Sequence, residues 1–255
     1  MDNKYFMRNV VYNNKTSNKV LFYTITISLI VIIGYMFYLF DNVNYYAPIV
    51  TQFIVVFLAL VGLGCFYTFK KKLLSNNTPT DAYRKAFFCF HVTFIPFVYM
   101  GAIHSYFINR PLIIDEKWFY LRYCFVAYLL LTGVILHIRA RKLFGLDNLF
   151  MYYVYHPNES NLVESVIHKI IRHPVYSAMN RIAWAGAFFS GSWVAFAVSF
   201  LFTCNQICWL NFYEEPELIN RFGQSYKEFK KRTPALYPKL KDYRKFIKFL
   251  TYKIK

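Results

Sequence analysis

The chain has 255 residues, 57% hydrophobic and 22% aromatic, with a formal net charge of +17. That composition is too apolar for a soluble domain of this length. The charge does not call for nucleic acid, because its placement follows a membrane pattern and not a soluble basic surface.

In chain order, Met1–Lys19 is polar and rich in Asn and Lys, and reads as a surface tail. Val20–Phe40, Pro48–Phe69, Ala86–Phe107 and Trp118–Ile138 are apolar runs of about 20 residues or more, enough to cross hydrocarbon. Tyr176–Ser190 is shorter and carries Asn180 and Arg181, and Trp193–Tyr213 is again long enough. The fold class this predicts is an all-α polytopic membrane protein. It would have about six transmembrane helices and a cytoplasmic C-terminal amphipathic segment. No small-residue cleavage site follows Val20–Phe40, so the first span is expected to remain as an anchor.

If the N-terminus is cytoplasmic and six spans alternate, only Arg110, Lys117 and Arg122 fall on the far side. The other 27 of the 30 basic residues then face the cytoplasm, with both termini. A basic inner face also suits anionic headgroups. Cys65, Cys89, Cys124, Cys204 and Cys208 all lie in apolar runs and are expected as buried free thiols. Cys204 and Cys208 share a helix face without a further ligand at metal spacing.

Gly62 and Gly64 read as a patch for close helix packing, since a phosphate-binding glycine loop needs a preceding strand. Lys70–Lys85 reads as a basic loop holding Asn76, Asn77 and Pro79. The next span carries His91, Pro96 and His104; the histidines are expected near its opposite ends as satisfied side chains. Phe144–Ile171 is too long for a minimal connection and too aromatic for disorder, which suggests a binding element.

The chemistry concentrates between Ile170 and Leu240. An Arg172-His173-Pro174 corner opens a helix, with Pro174 in its first turn, where a missing N–H costs nothing. His173, Tyr176, Ser177, Asn180 and Trp184 then share one stripe. Asn180 and Arg181 lie deeper, where an unpaired polar group is costly. A hairpin through Gly191-Ser192 should return Glu214 and Glu215 to the corner, with Thr203, Asn211 and Glu214 on one face. Two readings of the glutamates stay open: a salt bridge tying the hairpin's feet, or carboxylates binding a cationic or hydroxyl-bearing cofactor. Leu218, Phe222, Tyr226 and Phe229 then mark an amphipathic helix interrupted at Gly223 and ended by Pro234 and Pro238, and Lys239–Lys255 reads as a basic surface helix.

RHPVY (Arg172–Tyr176), EEPEL (Glu214–Leu218), RFGQSY (Arg221–Tyr226) and the closing Pro234 and Pro238 resemble the integral-membrane methyltransferase superfamily. That group holds isoprenylcysteine carboxyl methyltransferases and phospholipid N-methyltransferases. The resemblance covers roughly Leu143 to Leu240, and Leu162-Val163 is similar to the family's lead-in to the corner. It implies S-adenosylmethionine as cofactor, held on the cytoplasmic side without a soluble nucleotide-binding domain. Carried over by position, Leu162, Val163, His168, Arg172, His173, Pro174, Val175, Tyr176, Glu214 and Glu215 would surround the cofactor. Arg181 and Asn180, deeper in the same helix, are the expected catalytic residues, with Arg181 standing in for the arginine that Leu210 replaces. The family's lead-in glycine and tyrosine are Val166 and His168 here. Leu210 stands where the carboxyl branch has an arginine that grips its acceptor, and Tyr213–Pro216 reads YEEP as in the phospholipid branch, whereas the FG-x-x-Y ending at Phe222–Tyr226 leans towards the carboxyl branch.

The expected organisation is therefore a tail (1–19), four spans (20–138) and a catalytic region (139–255). The partner would be a membrane lipid or a prenylated acceptor entering sideways. The setting would be the inner membrane of a bacterium or the endoplasmic reticulum of a eukaryote. Two rivals stay open: an NADPH-dependent membrane sterol or enone reductase, which shares a similar RHP pattern, and a non-enzymatic protein retaining the fold.

Overall fold

A computed structural model describes residues 16–113, 116–163 and 165–252, and among these it contains helices and no strands. Five segments are long and apolar enough to cross a membrane: Val20–Phe40, Ala47–Ser75, Pro79–Phe107, Phe119–Phe144 and Trp193–Phe222. The helices that supply them are α1 (Thr16–Phe40), α2 (Ala47–Thr68), α5 (Thr93–Ile103), α6 (Phe119–Phe144) and α10 (Trp193–Trp209). The expected tail falls mostly outside the described residues, and α1 already begins at Thr16.

The sixth expected span is α9 (Pro174–Ser190), whose 17 residues reach only about 25 Å. Its polar Ser177, Asn180 and Arg181 are tolerated because α9 is sheathed by protein, not lipid. It packs on α6, α10 and α5, and Val56, Ala102, Met179, Ala183 and Phe202 form the dry centre of this bundle.

Two expectations are corrected. Lys70–Lys85 is not a loop but two short helices, α3 (Lys70–Ser75) and α4 (Pro79–Ala86). Pro79 sits at the start of α4, where the Thr78 hydroxyl accepts the Asp81 N–H at 3.2 Å. The same Asn/Pro-rich letters thus cap a helix. The cysteines are free, but Cys89 and Cys124 are exposed on the outside of the bundle and the other three are half-buried. An apolar run in a membrane helix is apolar all round, so hydropathy does not tell the core face from the lipid face.

Gly62 and Gly64 do serve close packing. A Cβ on Gly62 would meet the Phe94 ring at 2.2 Å, and one on Gly64 would meet the Tyr213 ring at 2.5 Å. Gly191 turns α9 into α10 at φ +69°, and the Ser192 hydroxyl caps α10 by accepting the Ala195 N–H at 3.2 Å. This tight turn folds the hairpin and returns its feet to one end.

At that end, α7 (Leu146–Leu149) and α8 (Tyr152–Tyr155) fold inward. Tyr152, Val154 and Tyr155 are buried against Phe66, Tyr83 and Phe87. Beyond α10 come α11 (Glu215–Phe222) and α12 (Gln224–Arg232), then an extended stretch whose Pro234 and Ala235 carbonyls accept the backbone N–H groups of Arg172 and His173. Finally α13 (Tyr243–Thr251) buries Phe246, Phe249 and Leu250 on Ile167, Ile170 and Ile171, so the basic terminal helix is docked through its apolar face.

Candidate active site

The corner and the glutamates meet. Glu214 Oε1 lies 3.3 Å from His173 Nδ1, and Glu215 Oε1 lies 3.2 Å from His173 Nε2. Both ring nitrogens face carboxylate oxygens, an arrangement that favours the imidazolium, in which both donate. Burial alone would suppress that charge, but the hydrogen bonds to Glu214 and Glu215 outweigh it and raise the His173 pKa above the ordinary imidazole value.

The two glutamates divide the alternatives left open by the sequence. Glu215 is only 2% exposed and does not line the adjoining cavity. It accepts from Arg172 Nη2 at 2.7 Å and Lys230 Nζ at 2.5 Å. Arg172 also donates to the carbonyls of Lys230 and Thr233, so this cluster ties the corner to α12. Glu214 instead forms part of the cavity wall. It accepts hydrogen bonds from the Tyr176 hydroxyl and, at 3.0 Å, from Trp209 Nε1. Glu215 thus stands behind the cavity wall and anchors the corner.

A π turn over Leu210–Glu214 makes this possible. In an uninterrupted α-helix Trp209 and Glu214, five residues apart, would point in different directions; a π turn brings residues at that spacing together. The same turn defeats the expected shared face of Thr203, Asn211 and Glu214. Asn211 is exposed, while Thr203 bonds Asn180.

The cavity, about 160 Å³, runs from this charged corner into the bundle. Leu162, Val163, His168, Arg172, His173, Pro174, Val175, Tyr176 and Glu214 all line it. His168 is buried, stacks on Phe144 with ring centroids 5.6 Å apart and bonds the Ser165 hydroxyl at 2.8 Å. Burial, with the charge of His173 adding to it, lowers the His168 pKa to about 4. The inner part of the wall is apolar, formed by Leu60, Leu63, Ile95, Val98 and Met179.

Asn180 and Arg181 do not line this cavity. Arg181 points between the rings of Tyr237 and Phe246, at 5.4 and 4.8 Å from their centroids. It turns away because successive helix residues diverge by about 100°. Asn180 is fully buried and donates to Gln206 Oε1 at 2.7 Å.

Several wall residues escaped the sequence reading. Tyr67 reaches Met151 Sδ at 3.4 Å, and Glu217 pairs with Arg221 at 2.6 Å. Trp209 could not be placed without the π turn. Gln206 was legible, as an amide inside an apolar run. His91 lines the cavity with its Nδ1 unpartnered. His104, by contrast, is satisfied by Gln52 at 2.9 Å and Asp41 at 2.7 Å. Among the described residues no group of three or more His, Cys, Asp or Glu side chains is arranged to hold a metal ion.

The donor set suits S-adenosylmethionine. Its hydroxyl and ammonium groups need acceptors, which Glu214 and Glu217 supply, and its carboxylate needs donors. Arg221 lines the cavity with a buried, unpartnered Nε.

Residues 121–225, fewer than half of the chain, match the phospholipid methyltransferase family. The matched stretch holds both the His173 corner and the two glutamates, in keeping with the superfamily that the motifs resemble. No curated protein and no solved structure matches the chain.

Proposed function

Taking the phospholipid methyltransferase match as premise, we propose that this chain is an integral-membrane enzyme. It moves a methyl group from S-adenosylmethionine to an amphiphilic acceptor drawn from the bilayer. The observation that carries this reading is the two-ended cavity: an acid- and arginine-lined mouth continuous with an apolar interior between α2, α5 and α9.

When bound, the cofactor supplies a methyl carbon whose bonding electrons stay with sulfur as the acceptor's lone pair takes the carbon. The protein's task is then to orient and to exclude water. Glu214 is held rigid by Tyr176, Trp209 and His173, so its free lone pairs are aimed before any ligand arrives. Arg221, braced by Glu217, faces the ligand's carboxylate. Glu215 keeps the imidazolium and Arg172 in place from behind. Leu60, Leu63 and Val98 offer an apolar channel for acyl or prenyl tails. An aminophospholipid agrees with the family match and with YEEP at Tyr213–Pro216. A prenylated carboxylate fits the same two-ended shape.

Membranes incubated with methyl-labelled cofactor should yield labelled lipid, separable from labelled protein. In purified protein, Glu214→Ala should abolish cofactor binding measured by calorimetry. Binding that survives this change unaltered would sink the assignment.

A further inference from the structure

The geometry points to Gln206 as the residue that recognises the acceptor. Its free amide N–H group would donate to an oxygen lying between the acceptor's methyl-accepting atom and its tails. This deepens the proposed function and rests on it.

Gln206 is 3% exposed, lines the cavity and has a buried Nε2 with no hydrogen-bond partner. A buried amide left unsatisfied costs about 1–3 kcal/mol, a cost that a bound oxygen would remove. Its orientation is set from outside the cavity. The Tyr237 hydroxyl donates to Asn180 Oδ1 at 2.8 Å, and the Thr203 hydroxyl approaches the same oxygen at 3.3 Å. Thr203 in turn accepts the Trp184 indole N–H at 3.1 Å. With Asn180 Oδ1 accepting the Tyr237 proton, its Nδ2 faces Gln206 Oε1, which leaves Nε2 as the unpaired end of a side chain that lines the cavity. This direction also gives the Tyr237 proton its acceptor. Asn180 and Tyr237 are therefore positioning residues, which explains polar groups so deep in α9.

The depth selects the ligand chemistry. Asn180 lies seven residues beyond His173, about 10 Å further along α9. A donor at that level lies on the tail side of the charged corner. The oxygen it meets is the one just inside the reacting end: the phosphodiester oxygen of an aminophospholipid or the amide carbonyl of an acylated prenylcysteine. Both are acceptor oxygens on an amphiphile, and separate substrates tell them apart.

The test uses full-length protein in detergent with phosphatidylethanolamine or N-acetyl-S-farnesylcysteine as acceptor. Gln206→Leu should raise KM for the preferred acceptor about ten-fold, with kcat and cofactor affinity within two-fold of wild type. Gln206→Glu, isosteric and without donors when ionised, should do at least as much harm at a pH where it is charged, and it replaces the leucine variant if that fails to fold. Tyr237→Phe should raise the same KM by a smaller factor. Unchanged KM in Gln206→Leu, wild-type KM in Gln206→Glu, or a loss confined to cofactor affinity would each overturn the inference. If wild-type protein methylates neither acceptor, the enzymatic reading is what fails. Retention of each amphiphile, read by native mass spectrometry without cofactor, then decides the role of Gln206. Weaker retention by the variant supports it, and equal retention refutes it.

Discussion

Two buried histidines occupy opposite ends of the bundle and differ in what surrounds them. His104 stacks on Phe37 at 3.8 Å and is bonded by Gln52 and Asp41. Gln52 Nε2 is used by the Gly101 carbonyl at 3.1 Å, and neither Gln52 nor His104 lines the cavity. His173 is as fully bonded, yet one of its carboxylates is a cavity wall and the other a buried anchor. Satisfied imidazoles therefore do not by themselves mark a site. What marks it is a satisfied imidazole whose partner still has lone pairs open to a cavity.

Glu214→Gln should weaken S-adenosylmethionine binding by 100-fold or more, whereas Asp41→Asn should leave binding unchanged and lower the melting temperature. Weakening the acceptor of a buried donor costs about 1–3 kcal/mol, and at Asp41 all of it would appear as stability. Lost binding in Asp41→Asn would show that the two ends are coupled. Next in size is Gly64→Leu, which must displace the Tyr213 ring and, through it, Trp209, whose ring centroid lies 5.2 Å away. A loss of about 1–3 kcal/mol in urea unfolding is expected. Gly34→Ala, with only Met100 at 3.6 Å, should be close to neutral.

The two histidines of the corner respond to pH in opposite senses. His168 titrates lower when folded, so its stabilising share is complete above pH 6.5. It falls by up to about 1.4 kcal/mol per pH unit towards pH 4. His173 titrates higher when folded, so its share is complete below pH 6.5 and is lost as pH rises through its folded value. Melting temperature should therefore peak near neutral pH, and His168→Gln should flatten the acid limb. An unchanged acid limb would place the cause elsewhere. The smallest effect concerns the surface: Cys89 and Cys124, exposed on the bundle's outside, should react with lipid-soluble maleimides before Cys65, Cys204 and Cys208.

Much of this architecture could be read from residue order. Arg172-His173-Pro174 and the Gly191 turn were enough to bring Glu214 to the corner, because a hairpin has only one place to return. What stayed hidden depended on phase and facing. Asn211 and Arg181 were misplaced, the first by a π turn without a letter code and the second by a helix sheathed on all sides. The lipid-facing cysteines were misjudged because a membrane helix is apolar whichever way it looks. Glu215 differed from Glu214 only in direction, which one residue of rotation decides.

The stretch Leu210–Glu214 carries one further consequence. A helix that accommodates a supernumerary residue depends on how many residues it has as well as on which ones. Excising Phe212, 70% exposed and bonded to nothing in the corner, would restore regular winding and swing everything downstream by about 100°. A deletion scan should thus find this outward-facing phenylalanine harmless to exchange for leucine, yet ruinous to omit.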